Sequence, residues 1–324
     1  MRIRKSLATV ALAASAVLVV AGCSSAGGAK SSAAVNLPHY KFAMITHQAP
    51  GDTFWDIIRK GAAAAAAKDN IDLVYSNDQV ASNEAVLIQN AIDQKVDGIA
   101  VTLPTPDALI PEVKKAQAAG IPVVAFNAGF DAWKGAGIPM YFGQDETLAG
   151  QAVGKRLSTE GAKHALCVVQ QQGQVQLEAR CAGVTQGLTT GTVDKIYVNG
   201  ADMPSVQSTI TAKLQQDPSI DYVVTLGAPI ALTAVQSVQA ASSKAKVVTF
   251  DTNKQLVSAI QSGSVQWAVD QQPYVQGYES IDALWLYKTN GDVVGGGNAV
   301  LTGPAFIDSS NIAQVAQYAA NGTR

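Results

Sequence analysis

Residues 98–127 read GIAVTLPTPDALIPEVKKAQAAGIPVVAFN, and their pattern decides the fold. Gly98-Ile99-Ala100-Val101 and Pro122-Val123-Val124-Ala125-Phe126 are short apolar runs rich in β-branched residues, and the segment between them has helical period. Strands this continuously apolar are covered on both faces, and a helix of about a dozen residues is the crossover that parallel pairing requires.

The same alternation extends in both directions. Upstream lie Phe42-Ala43-Met44-Ile45 and Asp72-Leu73-Val74-Tyr75; downstream lie Ala165-Leu166-Cys167-Val168-Val169, Tyr222-Val223-Val224-Thr225, Val247-Val248-Thr249-Phe250 and Trp267-Ala268-Val269. Weaker runs occur at Met140-Tyr141-Phe142 and Ile196-Tyr197-Val198. The alanine run Ala62 to Ala67 follows Trp55, Ile57 and Ile58 at helical spacing, so it reads as a tightly packed helix. The strands are too many for one ordinary open sheet, and Gly143-Gln144-Asp145 falls midway with a fresh helix after it. The expected class is α/β, with two doubly wound parallel sheets.

The first residues set the compartment. Arg2, Arg4 and Lys5 precede an apolar run, Leu7 to Ala21, that is short for a membrane span. This is a secretory signal over residues 1–22. Val20-Ala21-Gly22-Cys23 resembles the bacterial lipobox, in which the Cys23 thiol receives a diacylglycerol; the Ser/Ala/Gly-rich residues 23–38 then serve as a flexible tether. The protein is expected outside the cytoplasm, lipid-anchored to the bacterial cell membrane. In that oxidising setting Cys167 and Cys181 are expected to form one disulfide, the rival being two separately buried thiols.

About 285 residues follow the tether, enough for two lobes with their own cores. The formal net charge of −2 supplies no basic field for nucleic acid, and no basic amphipathic stretch suits a membrane surface. A small uncharged molecule is the expected partner. His39, His47 and His164 are scattered with no partners for nucleophilic or metal chemistry, and no glycine-rich phosphate loop follows a strand. No enzyme activity, cofactor or metal is expected, and no helix-turn-helix precedes the first strand.

In doubly wound sheets the ligand lies beyond the carboxyl ends of the strands. There the sequence places Asn127, Asp251, Asp270-Gln271-Gln272 and, near the first strand, Pro50-Gly51-Asp52-Thr53-Phe54-Trp55. His47 also follows the first strand and is a candidate for the cleft. A polyol presents a belt of hydroxyls and faces of C–H groups, which call for planar polar groups and aromatic surface. Asp52, Asn127, Asp251, Gln271 and Arg180 supply the first, Phe54 and Trp55 the second. Each has a rival role: Asp52 as a helix cap, Asp251 as a cap for a helix near Asn253, and the aromatics as plain core.

From Tyr40 almost to its end the chain resembles the type I periplasmic sugar-binding proteins, specifically the ribose-binding group of ABC importer components. Gly51-Asp52-Thr53-Phe54-Trp55 with Gly61, Val96-Asp97-Gly98-Ile99, Gly120-Ile121-Pro122-Val123-Val124, Glu178-Ala179-Arg180, Phe250-Asp251 and Asp270-Gln271-Gln272-Pro273-Tyr274 with Gly277-Tyr278 carry the likeness. The resemblance implies first-lobe contacts from Asp52, Phe54 and Trp55, a second-lobe clamp of Arg180 and Asp251, and a hinge-side contact from Gln271. Met203 falls where the family often has a second-lobe aromatic. It further implies a monomer that closes around a monosaccharide or small sugar alcohol and delivers it to a membrane permease. A receptor subunit for a sensor kinase or chemoreceptor would use the same cleft. Three crossings, near Gly143–Asp145, Gln271–Pro273 and Thr302–Pro304, would divide the chain into lobes of 39–143 plus 272–302 and 144–271 plus 303–324. The Asp-Arg pair of ribose binders after the fourth strand is Asn127-Ala128 here, and a second-lobe Asn is Gly227, which points away from ribose toward another sugar or an open-chain tetritol or pentitol.

Overall fold

Residues 37–324 are described by a computed structural model. The expected signal segment 1–22, the lipidation site Cys23 and all but the last two tether residues lie outside the described residues. None of the described helices is long and apolar enough to cross a membrane.

The first part of the chain runs β1 (Tyr40–Thr46), α1 (Phe54–Lys68), β2 (Ile71–Asn77), α2 (Ala81–Asp93), β3 (Gly98–Val101), α3 (Pro106–Ala118), β4 (Val123–Phe126) and β5 (Tyr141–Gly143). A second series follows: α4 (Glu146–Thr159), β6 (His164–Val169), α5 (Val175–Gly187), β7 (Thr192–Tyr197), α6 (Met203–Gln216), β8 (Tyr222–Thr225), α7 (Ala228–Ala240), β9 (Lys246–Phe250), α8 (Lys254–Gln261) and β10 (Trp267–Asp270). The chain ends with α9 (Pro273–Asn290), β11 (Val300–Leu301), β12 (Ala305–Asp308) and α10 (Ile312–Ala320).

Two six-stranded sheets result, ordered β11-β5-β4-β3-β1-β2 and β12-β10-β9-β8-β6-β7. All pairs are parallel except β10 with β12. Every residue of β3, β4 and β8 is buried, because each sheet carries an apolar core on both faces. β7 begins at Thr192, earlier than its apolar signal at Ile196-Tyr197-Val198 suggests. It is an edge strand with partly exposed residues, so its start needs no apolar side chains.

Strand order reverses between β1 and β3 in the first sheet and between β6 and β8 in the second. The chain passes from one sheet to the other three times: between β5 and α4, between β10 and α9, and between β11 and β12. Both reversal points therefore open at carboxyl ends of strands, where a crevice forms.

Glycines let two helix pairs approach closely. A Cβ on Gly61 of α1 would overlap the Tyr274 carbonyl oxygen of α9, and one on Gly277 would overlap that of Ile58. Between α4 and α5, the same holds for Gly150 against the Arg180 carbonyl and Gly183 against that of Thr147. Gly183→Ala should therefore force the two helices apart and cost about 1–3 kcal/mol of stability, as overpacking does. Denaturant unfolding measures it; a midpoint equal to that of the parent protein would sink this account of the contact.

Cys167 on β6 and Cys181 on α5 are bonded to each other with Cα atoms 6.0 Å apart, which pins α5 to the sheet. Closing a loop of that sequence separation stabilises by about 3 kcal/mol by the chain-entropy relation.

Candidate functional site

A cavity lies between the carboxyl ends of the two sheets, where small-molecule sites of doubly wound folds are found. Around it stand all nine residues singled out from the sequence: His47, Asp52, Phe54, Trp55, Asn127, Arg180, Met203, Asp251 and Gln271.

Phe54 and Trp55 form the first turn of α1, ring edge against ring face with centroids 5.3 Å apart. Both are buried in the core on that face of the first sheet and both line the cavity, so core and lining are one role here. Just before them, Asp52 Oδ1 accepts the Phe54 amide at 3.1 Å. Burial pushes the Asp52 carboxyl up to about 6, although the Phe54 amide and the Trp55 indole favour its charge.

His47 follows β1 and packs edge-on against Trp55 at 4.7 Å. The Thr102 hydroxyl donates to Glu84 Oε1 at 3.0 Å, so the 2.8 Å contact of His47 Nδ1 with Thr102 has the imidazole as donor. Nε2 is then the acceptor for the Gln176 side-chain amide at 3.0 Å. Burial, helped by the Arg180 charge, lowers His47 to about 3 and keeps it neutral. Glu84, fully buried on α2, is raised to about 8, chiefly by burial.

On the second-sheet side, Arg180, expected to grip ligand hydroxyls, is engaged by the protein's own groups. Its Nε and Nη2 donate to Glu146 at 2.6 and 2.9 Å, and Nη1 donates to the Leu226 carbonyl at 3.1 Å. The guanidinium also lies 4.7 Å from the Phe250 ring centroid. Burial opposes its charge, but Glu146 outweighs that and holds the guanidinium above its usual value.

Asp251 does not cap the following helix. Asn253 does, accepting the Leu256 amide at 2.8 Å, and its own amide donates to Thr53 Oγ1 at 3.2 Å. Asp251 is free for the cavity, with Oδ1 accepting the Gln271 amide at 2.6 Å. Gln271 Oε1 in turn accepts from Asn127 at 3.2 Å, and Asn127 also donates to Gln276 at 3.1 Å. Asn127 and Asp251 sit at φ 61° and 65°, a left-handed conformation that these two residue types adopt with little strain. Burial raises Asp251 to about 7; Arg180 and Gln271 pull it down and Asp52 adds to the rise.

Met203 opens α6, lines the cavity and accepts the Thr233 hydroxyl on sulfur at 3.4 Å. Sequence reasoning missed Gln170, Gln174, Gln176 and Thr252 on the wall, and Glu84, Glu146 and Gln276 behind it. The glutamines directly after β6 were findable by the carboxyl-end rule; Glu146 was not, since nothing near it in the chain signals Arg180.

Asp251 and Glu84 give the ligand-free fold a pH dependence of definite sign. Their folded values exceed the unfolded ones, so the folded state binds protons more tightly and stability is lost as pH rises through about 7 and about 8. The melting temperature of the ligand-free protein should fall between about pH 6.5 and 8.5. A rise across that window in a thermal scan would contradict the burial of these carboxyls.

A family model described as a periplasmic binding protein domain matches residues 42–292. A carbohydrate transporter from Acidothermus cellulolyticus, solved in complex with myo-inositol, is 66% identical with TM-score 0.87, over 89% of this chain and 100% of that one. A periplasmic sugar-binding protein of an ABC sugar transporter from Legionella pneumophila is 25% identical with TM-score 0.74, over 81% of this chain and 99% of that one. A xylose/arabinose-binding protein from Sulfolobus acidocaldarius is 28% identical over 244 residues, which is 69% of this chain and 60% of that relative, so the match spans less than two thirds of the relative's length.

Proposed function

The chain belongs to the periplasmic binding protein family, and from that premise we propose that it captures a cyclic polyol of the inositol class, or a monosaccharide of similar size, and delivers it to the permease of an ABC importer. One observation carries this reading: one cavity whose walls combine carboxylates and amides from both sheets with the aromatic pair Phe54 and Trp55.

A cyclitol carries a hydroxyl on every ring carbon and two C–H faces. Asp52 and Asp251 accept hydroxyl protons, Gln170 and Gln174 exchange both ways, and the aromatic rings cover ring carbon. The 66%-identical structure holds myo-inositol, which favours a cyclic ligand over the open-chain tetritol or pentitol that stood beside another sugar among the expectations. Asn127-Ala128 and Gly227, where ribose binders carry more polar groups, agree with that shift.

We take 39–143 plus 272–302 and 144–271 plus 303–324 as lobes that close on the ligand. Contacts between these segments support a closed form: Gln176 to His47 at 3.0 Å, Asn253 to Thr53 at 3.2 Å, and the Val175 amide to the Pro104 carbonyl at 2.9 Å. A ligand touching both lobes has more contacts in the closed form and shifts the population toward it. Lipid on Cys23 would hold this monomeric receptor at the outer face of the cell membrane.

Isothermal titration of the mature protein with myo-inositol and a panel of aldoses and alditols tests the reading. Saturable heat with a micromolar or tighter dissociation constant for a cyclitol or monosaccharide is expected. Absence of heat across the whole panel would sink it.

A further inference from the structure

The charges around the cavity do not balance. Arg180 is the one cationic side chain on the wall among the described residues, and its fork is matched by Glu146, 4% exposed, behind it. Asp251 Oδ2 lies 4.0 Å from Arg180 Nη1, beyond hydrogen-bond reach, and Asp52 is met by an amide and an indole but no cation. His47 is neutral. Asp251, buried, and Asp52, partly buried, thus face one space with a single guanidinium near them, and Glu146 already engages it.

Thr252 and Gln176 are lining residues 3% and 4% exposed, and the side-chain oxygen of each has no partner among the described residues. Buried oxygens of this kind are left unpaired only at a cost of about 1–3 kcal/mol each. A neutral polyol brings no positive charge to the two carboxylates.

We propose that the cavity takes a protonated amino derivative of the polyol, an aminocyclitol or amino sugar whose ammonium sits between Asp52 and Asp251, in preference to its neutral parent. An ammonium offers three donors and no acceptor, which suits a wall of acceptors, and its hydrogen bonds to carboxylate are stronger than those of a hydroxyl. A phosphorylated or uronic acid derivative would add a third anion beside two carboxylates and is rejected. This assignment rests on the polyol reading above and narrows it.

A pH profile follows from the groups around the two acids. Asp52 faces Asp56, Arg180 and Asp251; Asp251 faces Arg180, Asp52 and Glu146, with neutral His47 on the adjoining wall. Bound ammonium favours the ionised form of both acids, so binding releases protons where they are still held, near pH 6 to 7. Affinity for the amine should therefore rise from about pH 5.5 to about pH 8.

The test is calorimetric titration of the mature protein with myo-inositol, 1-amino-1-deoxy-myo-inositol and myo-inositol 1-phosphate at low ionic strength. At about pH 8 the amine should bind about tenfold tighter than the parent, the gap should close toward about pH 5.5, and the phosphate should give no heat. Asp251→Asn should erase the preference for the amine. The comparison on the unaltered protein decides the matter whether or not that variant folds. An amine that binds no tighter than myo-inositol overturns the proposal and leaves the polyol reading standing. Binding of the amine without the parent supports it and replaces the neutral ligand, and silence from both overturns the two together.

Discussion

Replacing Arg180 by methionine should lower stability by about 3–5 kcal/mol, a large part of what a domain has to spare. The cause is Glu146. It is 4% exposed, and the guanidinium donates to both of its oxygens. Without Arg180 it keeps only the Gln144 amide, 2.8 Å from Oε2, and carries a buried charge with no partner. The Leu226 carbonyl and the face of Phe250 lose contacts at the same time. Arg180→Met with Glu146→Leu should recover most of the loss, because a buried ion pair replaced as a unit by apolar groups is often neutral. Guanidinium unfolding of the two variants measures the difference. A single variant within about 1 kcal/mol of the parent would show that Glu146 finds another way to be satisfied.

Asp251→Asn should weaken binding of the polyol by about 10- to 100-fold without lowering the stability of the ligand-free protein. A hydrogen bond to a charged acceptor contributes about 1.5–3 kcal/mol, and the amide offers a weaker acceptor on one side and a donor on the other. The backbone is not at risk: position 251 is left-handed at φ 65°, and Asn adopts that region as readily as Asp. The fold is not at risk either. A carboxyl raised to about 7 by burial destabilises the ligand-free protein once ionised, so removing the charge should hold or raise the melting temperature at about pH 8. Calorimetry for affinity and scanning fluorimetry for melting separate the two effects. An unchanged dissociation constant would place Asp251 outside the binding contacts.

Much of the fold was legible because its signals are local. Runs such as 98–101 and 222–225 coincide with β3 and β8, since a strand covered on both faces must be apolar at every position. The edge strand β7 was read late for the converse reason. Candidate site residues were reachable through a topological rule that needs only the strand ends, which is how Asn127, Asp251 and Gln271 were picked out.

The alternation of apolar runs and helical segments determined by itself that this chain forms parallel sheets with polar groups clustered at their carboxyl ends, because each step of that inference depends on neighbours within a few residues. Tertiary packing alone decided what those polar groups do. Arg180 is committed to Glu146, 34 positions away, because glycines bring α4 against α5; Asn253 caps α8 and so frees Asp251; Glu84 sets the tautomer of His47 through Thr102. A hydrogen bond is a matter of ångströms between groups far apart in the chain, and no local pattern of residues records it.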